Sequence, residues 1–497
     1  MATSLVATGV QFPDATIQTT AAGAGGSSLE AIASGSLSDG STVIVNADGT
    51  VSVVVGVAQA VGSPVVFESA DTRYTTSTYD VTNNKVVIAY RDVGNSSYGT
   101  AVVGTVSGTS ISFGTPVVFE SAVTGTYITS TYDSTNSKIV IVYNDNGNSN
   151  YGTAIVGTVS GTSISFGTAV VFESASTSFV SATYDSTNQK VVIAYSDFGN
   201  AGYGTAIVGT VSGTSISFGT AVVFATESST LVSNAYDPTS GKVAVFWATG
   251  GLSAPPGYAI IGTVSGTSIS FGSSVVFNAT RTGSAIKPVY DSYSNKIIVF
   301  YGEGDGLIGE TIVGTISGTS ISFGTAVVFN SVFVDQISAS YDSTNNKIVI
   351  AYQDGGTSNY GVAIVGTVNG TSISFGSKIV FNSAITAYIS TTYDSTNDKV
   401  VISYLDNGNS NFGTSVVFQN ASVNLTSENY IGISDGAYTD TQTATIQLVG
   451  SVDDAQSGLT AGQKYYVQTD GTLSETPATP SVLAGTAQSA TKLIIKR

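Results

Sequence analysis

Two carboxylates lie close together in the stretch GEGDGLIGE (302–310), at Glu303 and Asp305. A pair of acids is all that glycoside hydrolysis requires, one to protonate the leaving oxygen and one to act as nucleophile or base. The chain offers no stronger catalytic set. Its 497 residues include no His and no Cys. That removes Ser-His-Asp and thiol chemistry, imidazole general bases, and metal sites built on His or Cys. A sialidase-like site would need clustered arginines, but Arg73, Arg91 and Arg281 are scattered along the chain. The expectation is therefore a protein that binds and does not catalyse, with no cofactor and no metal.

Side chains suited to binding gather near the same stretch. Trp247 is the only tryptophan, and the segment after it, ATGGLSAPPGY (248–258), ends in Tyr258. A little further on, NATRTGSAIKP (278–288) adds Arg281 and Lys287 to a chain of net charge −17. Aromatic faces stack on sugar rings, and cationic side chains make charged hydrogen bonds. The candidate ligand-binding residues are thus Trp247, Tyr258, Arg281, Lys287, Glu303 and Asp305. All lie where a repeated pattern is locally broken, and such departures are where function is expected. Decay of unused copies is the competing explanation.

The pattern they break is an internal repeat. GTVSGTSISFG starts at Gly104, Gly157, Gly209 and Gly262, and returns almost unchanged at Gly314 and Gly366. Tyr-Asp occurs at Asp80, Asp133, Asp185, Asp237, Asp291, Asp342 and Asp394, in steps of 53, 52, 52, 54, 51 and 52. A period near fifty with β-type composition predicts a seven-bladed β-propeller of four-stranded repeats. In one unit, strand A is YITSTYD (127–133) and strand B is KIVIVY (138–143), a continuous apolar run suited to burial on both faces. Strand C is YGTAIVGTV (151–159) and strand D is TSISFGTAVVF (162–172), which alternates apolar and polar. After the last Tyr-Asp, no GTSISFG follows. An unmatched D-like strand, SPVVFES (63–69), precedes the first copy, so this N-terminal strand is expected to complete the last blade and close the ring.

Antiparallel connectivity puts the SGTS and DSTN-K turns on one rim. The D–A and B–C loops fall on the other. The D–A stretches all differ: ESADTRYTTS, ESAVTGTYITS, ESASTSFVSA, ATESSTLVSN, NATRTGSAIKP, NSVFVDQISA and NSAITAYIS. Variable segments on a rigid scaffold are where binding usually resides. Three repeated features have plainer readings. Each Tyr-Asp aspartate precedes a Lys by five residues (Asp133 and Lys138, for example), which suits a hairpin turn with charge compensation. Asp92, Asp145, Asp197, Asp354 and Asp406 open B–C loops whose donor spacing fits a turn better than calcium. The aromatics at Tyr90, Tyr143, Tyr195, Trp247, Tyr301, Tyr352 and Tyr404 suit inter-blade packing, or else a ring of platforms for sugars.

Composition agrees with strands and turns. Charged residues are 10% of the chain, against roughly 25% in typical domains. No basic patch exists for nucleic acid. The most apolar run, Val51 to Phe67, is broken by Gly, Gln, Ser and Pro, so no membrane insertion is expected. MATSLVATGVQFPDATIQTT lacks the features of an export signal. AAGAGGSS (21–28) suggests a flexible link, Ser27 with Glu30 a short capped helix turn, and VNADGTVSVV (45–54) a hairpin around Asp-Gly.

The ends also carry a resemblance. MATSLVATGVQFPDATIQTTAAG resembles the opening of tail-fibre and other appendage proteins of tailed bacteriophages. SGSLSDGSTVIVNADGTVSVV and the closing NYIGISDGAY and GLTAGQKYYVQTDGTLSETPATPSVLAGTAQSATKLIIKR are similar to segments of phage structural proteins, those of marine cyanobacterial phages especially. The resemblance implies a virion protein, made in the host cytoplasm and carried on the particle, with other virion proteins as partners. Residues 1–61 would attach to the virion, 62–422 would form the propeller, and 423–497 a small β domain. The expected role is a tail-fibre-like appendage whose variable rim contacts a host-surface glycan or protein receptor. A capsid decoration or spacer is the alternative, a bacterial adhesin is disfavoured, and homo-oligomerisation is left open.

Overall fold

The computed structural model describes residues 27–251, 254–304 and 308–496, together with the backbone of Ser4–Val6, Gly9–Gln11 and Ile17–Gln18. Among the described residues there are strands, turns and short 3-10 turns, and no α-helix. Two compact units divide the chain. One spans 60–419, and the other joins 1–59 to 420–497.

The larger unit is a run of antiparallel strands built from the repeat. In the second copy a long strand, Val117–Asp133, is followed by Lys138–Asp145, Tyr151–Ser160 and the short Ser163–Phe166. The second half of the long strand pairs with Lys138–Asp145, from Ile128 opposite Tyr143 to Asp133 opposite Lys138. The first half of the next long strand, Val170–Asp185, pairs with Tyr151–Ser160. Each long strand therefore belongs to two consecutive sheets. The expected separate D and A strands with a loop between them are in fact one continuous strand in every copy except the fifth. There Val275–Asn278 and Thr282–Asp291 are separate. At the end of the unit Phe412–Gln419 pairs with Ala60–Val61 and with the start of Val65–Asp80, whose other half pairs with Lys85–Asp92. The paired strands so return to where they began.

The expected single D strand is interrupted at a glycine in each copy. A Cβ on Gly167 would lie 1.9 Å from the carbonyl oxygen of Thr214, in the GTS turn of the following copy. Gly62, Gly114, Gly219, Gly272 and Gly324 make the same approach to the next copy. GTSISFG thus meets itself from copy to copy, the glycine at its end receiving the GTS turn of the next at Gly114, Gly167, Gly219, Gly272 and Gly324, with Gly62 receiving the first. The glycine of one copy accepts the backbone of the next, and no side chain fits between.

Tyr-Asp has a divided role at the same end. Asp133 accepts hydrogen bonds from the amides of Thr135 and Asn136 and from the Asn136 side chain, at 2.8–3.0 Å, and so closes its own turn. The tyrosine reaches the neighbouring copy. The Tyr184 hydroxyl bonds to Thr135 at 2.7 Å, Tyr79 to Thr396 at 2.6 Å, Tyr393 to Thr344 at 2.6 Å, and Tyr132 pairs with Thr82 at 2.6 Å. Core packing is shared between copies in the same way. Val140 and Val142 face Val191, Ile193 and Tyr195 of the next sheet, while Ile139, Ile141 and Tyr143 face Val87 and Ala89 of the previous one. The second strand is therefore buried on both faces, and each such Val or Ile contributes about 1.5–3 kcal/mol.

The smaller unit joins the two ends of the chain. Ser28–Ile32 pairs with Thr443–Gln447, and Thr42–Val45 pairs with Tyr430–Ser434 and Val51–Val53. A second sheet holds Val452–Asp453, Lys492–Ile495, Leu483–Ser489, Lys464–Val467 and Leu473–Ser474. The ends expected as separate segments thus share one core, in which Ile44 and Tyr430 meet Val467 and Leu493. The expected helix turn at Ser27 and Glu30 is a strand, because an open edge at Thr443–Gln447 takes up its backbone. The Asp-Gly hairpin is present, with Gly49 at φ 86°. Residues 21–26 of the expected link lie outside the described residues.

Candidate functional site

One position of the long strands defines an inner ring. Thr76, Thr129, Ser181, Ser233, Ser338 and Ser390 each lie opposite the fifth residue of their second strand. In the fifth copy the same place is taken by Lys287, opposite Phe300. The hydroxyls tie adjacent long strands together where no backbone ladder does. Ser390 bonds to Ser77 at 2.9 Å, Thr76 to Ser130 at 3.2 Å, Ser181 to Asn234 at 2.9 Å and Ser338 to Thr391 at 3.1 Å. On either side of Lys287 the partner positions are Pro288 and Ala339, which offer no such group.

These residues line a cavity of about 380 Å³ to which all the copies contribute. Its collar lies two residues before the ring position, at Tyr74, Tyr127, Phe179, Leu231, Gln336 and Tyr388. Five of the six hold the left-handed backbone, with φ of 55° at Tyr74, 49° at Phe179, 54° at Leu231, 53° at Gln336 and 50° at Tyr388. For bulky residues that conformation costs about 1–3 kcal/mol each. It falls at register shifts in the strand pairs, where an extra residue re-aims the side chain. The collar rings pair across copies, Tyr74 with Tyr388 at 4.6 Å and Tyr127 with Phe179 at 4.8 Å between centroids. Burial raises the hydroxyls of Tyr127 and Tyr388, the latter to about 12, so both stay neutral donors. The fifth copy has the small Ala285 at the collar position.

The expected site residues do not form one cluster. Trp247 is only 1% exposed, packed between Phe224 at 5.1 Å and Tyr258, which stacks on it at 5.5 Å. Its expected role as a sugar platform is therefore wrong. With Val243 and Val245 it faces the gap between sheets, as strand alternation requires. The equivalent Tyr90, Tyr143, Tyr195, Tyr301, Tyr352 and Tyr404 are also buried and pack between sheets. Tyr258 is half-buried against the tryptophan. Arg281 sits in the break of the fifth long strand beside a smaller cavity of about 270 Å³, shared with Phe179, Leu231 and Pro255. Its carbonyl accepts the Gly304 amide at 2.9 Å. Glu303 pairs in register with Thr282 and accepts a hydrogen bond from the Thr280 hydroxyl. Asp305 lies outside the described residues. Lys287 belongs to the inner cavity and not to a peripheral loop. It is exposed there, yet the enclosing walls lower its ammonium from the ordinary lysine value by desolvation.

The acidic B–C positions are turn caps. Asp92 accepts the Asn95 amide at 3.0 Å, Asp145 the Asn148 amide at 3.1 Å, and Asp197 the Gly199 amide at 2.9 Å. Beside them buried tyrosines donate to a second acid, Tyr90 to Glu68 at 3.1 Å and Tyr195 to Glu173 at 3.2 Å. Burial, and then the neighbouring aspartate, raise both Glu68 and Glu173. In the sixth copy Asn330 replaces the Glu, and Lys378 bridges it to Asp354 at 2.8 and 3.0 Å. Among the described residues no group of three or more acidic side chains is placed to hold a metal ion.

The collar escaped the sequence reading, although a signal was present. A large residue precedes the ring hydroxyl by two in six copies, as in Tyr74 with Thr76 and Phe179 with Ser181. No protein-family model and no curated protein matches this chain. Among solved structures, it is similar to AofleA from Arthrobotrys oligospora at 9% identity, covering 64% of this chain and 91% of that one, with a TM-score of 0.41. A triple arginine-to-alanine variant of AofleA gives 10%, the same coverage and 0.43.

Proposed function

We propose that the chain is a non-enzymatic structural protein of a phage virion, a tail-fibre-like appendage. In this reading residues 60–419 form a seven-bladed propeller, and the unit of 1–59 and 420–497 attaches to the particle. The collar end of the propeller contacts a host-surface glycan. One observation carries the reading. The repeated end is occupied by contacts between copies, while the opposite end presents unlike aromatic side chains around a hydroxyl-lined opening. Aromatic faces with hydroxyl donors and acceptors are the chemistry of sugar recognition. The strained backbone at the collar fits a presenting surface, since strain of this kind collects at ligand clamps.

The test compares adsorption of the purified protein to host cells. Tyr74→Ala with Tyr388→Ala should reduce binding by an order of magnitude or more, because base-free aromatic stacking and buried area are lost together (about 1–3 kcal/mol). Tyr79→Phe, at the repeated end, should leave adsorption unchanged. If the native protein binds no cells and a particle map places it on the head shell, the capsid-decoration alternative replaces this reading.

A further inference from the structure

The inner ring holds one cation where every other copy holds a hydroxyl. Resting on the glycan-binding reading above, we propose that the axial cavity is a site for a carboxylated sugar, with the ligand carboxylate on the Lys287 ammonium and its ring against the aromatic collar.

Three features of the cavity converge on this ligand. First, among the described residues Lys287 has no hydrogen-bonding or ion-pairing partner, and the position that would bond to it in the next copy is Ala339. A cation so placed is satisfied only by water or by an anion entering the cavity. Second, the collar narrows on every side except the fifth copy, where Ala285 leaves room above the lysine. Third, a volume of about 380 Å³ suits a small ligand of one or two sugar rings. The walls are hydroxyls and aromatic faces, which match a pyranose better than a phosphate.

The other titratable groups facing the cavity are Asp335 and the phenols of Tyr74, Tyr127 and Tyr388. Asp335 directs its carboxylate to the Gln336 amide at 2.8 Å and to the Gln336 side chain at 3.3 Å. Lys287 is the one basic group among the residues that line the cavity. Desolvation by the enclosing walls disfavours the Lys287 charge, and a carboxylate paired with it would offset that cost.

The experiment is calorimetric titration of the full chain with galacturonate- and glucuronate-terminated disaccharides and with their neutral parents. Lys287→Thr restores the ring residue of the other copies and so keeps the fold. The expected result is binding of the acidic sugars, and a loss of roughly tenfold or more in Lys287→Thr. Neutral parents should bind native protein and variant alike, or not at all. Equal binding of acidic and neutral sugars, or acidic binding unchanged by Lys287→Thr, overturns this inference and leaves the glycan reading standing. If no sugar of either kind binds while host cells still adsorb the protein, the ligand class itself is wrong and both readings fall.

Discussion

The two ends of the long strands meet opposite demands. At the Tyr-Asp end each copy must fit the next, so the tyrosine is the same around the unit. The threonine it grips is kept in all copies but the fifth, where Tyr293 stands, and six glycines receive the neighbouring backbone. At the collar end the strands splay around an opening, and five copies keep the left-handed bulge while its side chain changes from Tyr to Phe, Leu or Gln. Sameness along this chain therefore marks contact between copies. Difference marks the end where neighbouring copies meet through side chains of changing type, as Tyr74 with Tyr388 and Tyr127 with Phe179.

The sharpest way to break that comparison is to fill one of the receiving glycines. A Cβ on Gly219 would stand 1.8 Å from the Thr267 carbonyl oxygen, whereas at Gly376 the nearest atom is 3.8 Å away, because the last copy lacks the hairpin that would approach it. Gly219→Ala should lose about 3 kcal/mol or more, or fail to fold cooperatively. Gly376→Ala should be close to neutral. Urea midpoints for the two proteins decide the matter, and equal losses would show that the contact does not explain the repeat.

A smaller effect is expected from the tyrosine grip. Tyr184→Phe removes one hydroxyl bond and keeps the ring, so about 0.5–1.5 kcal/mol should be lost in the same assay. A change at the collar that removes no contact between copies, such as Leu231→Met, should lie nearer zero.

The smallest expected effect separates copies by charge. Glu173 beside Asp197 has its folded-state pKa raised above the ordinary 4.5 by burial and then by the aspartate. A raised acid binds protons more tightly when folded, so this group favours the native state as pH falls from neutral toward that value. Glu173→Gln should therefore melt slightly higher than the native chain at pH 7 and no differently at pH 4. An equal difference at both values would assign the effect to packing instead.

Much of the larger unit was legible because its rules are local. Val140, Ile141 and Val142 announced a strand buried on both faces, and the missing GTSISFG after Asp394 pointed to a partner for Phe412–Gln419 near the N-terminus. What was not legible depended on direction. Trp247 drew notice as the only tryptophan, yet alternation from Val243 and Val245 already turned it inward. Lys287 was read as part of a variable loop because no pattern reveals that a strand continues through a bulge toward an interior opening. The pairing of Ser28–Ile32 with Thr443–Gln447 joins positions more than four hundred residues apart, beyond the reach of any local signal.

Ala60 and Gln419 lie opposite each other as paired residues. The chain thus leaves the larger unit at the place where it came in, and three hundred and more residues occupy no distance along the backbone that carries them. Such a unit behaves as a cassette. Duplication or loss of a whole copy, in the course of descent, would alter the width of the opening and the order of its collar while leaving the flanking strands joined as before.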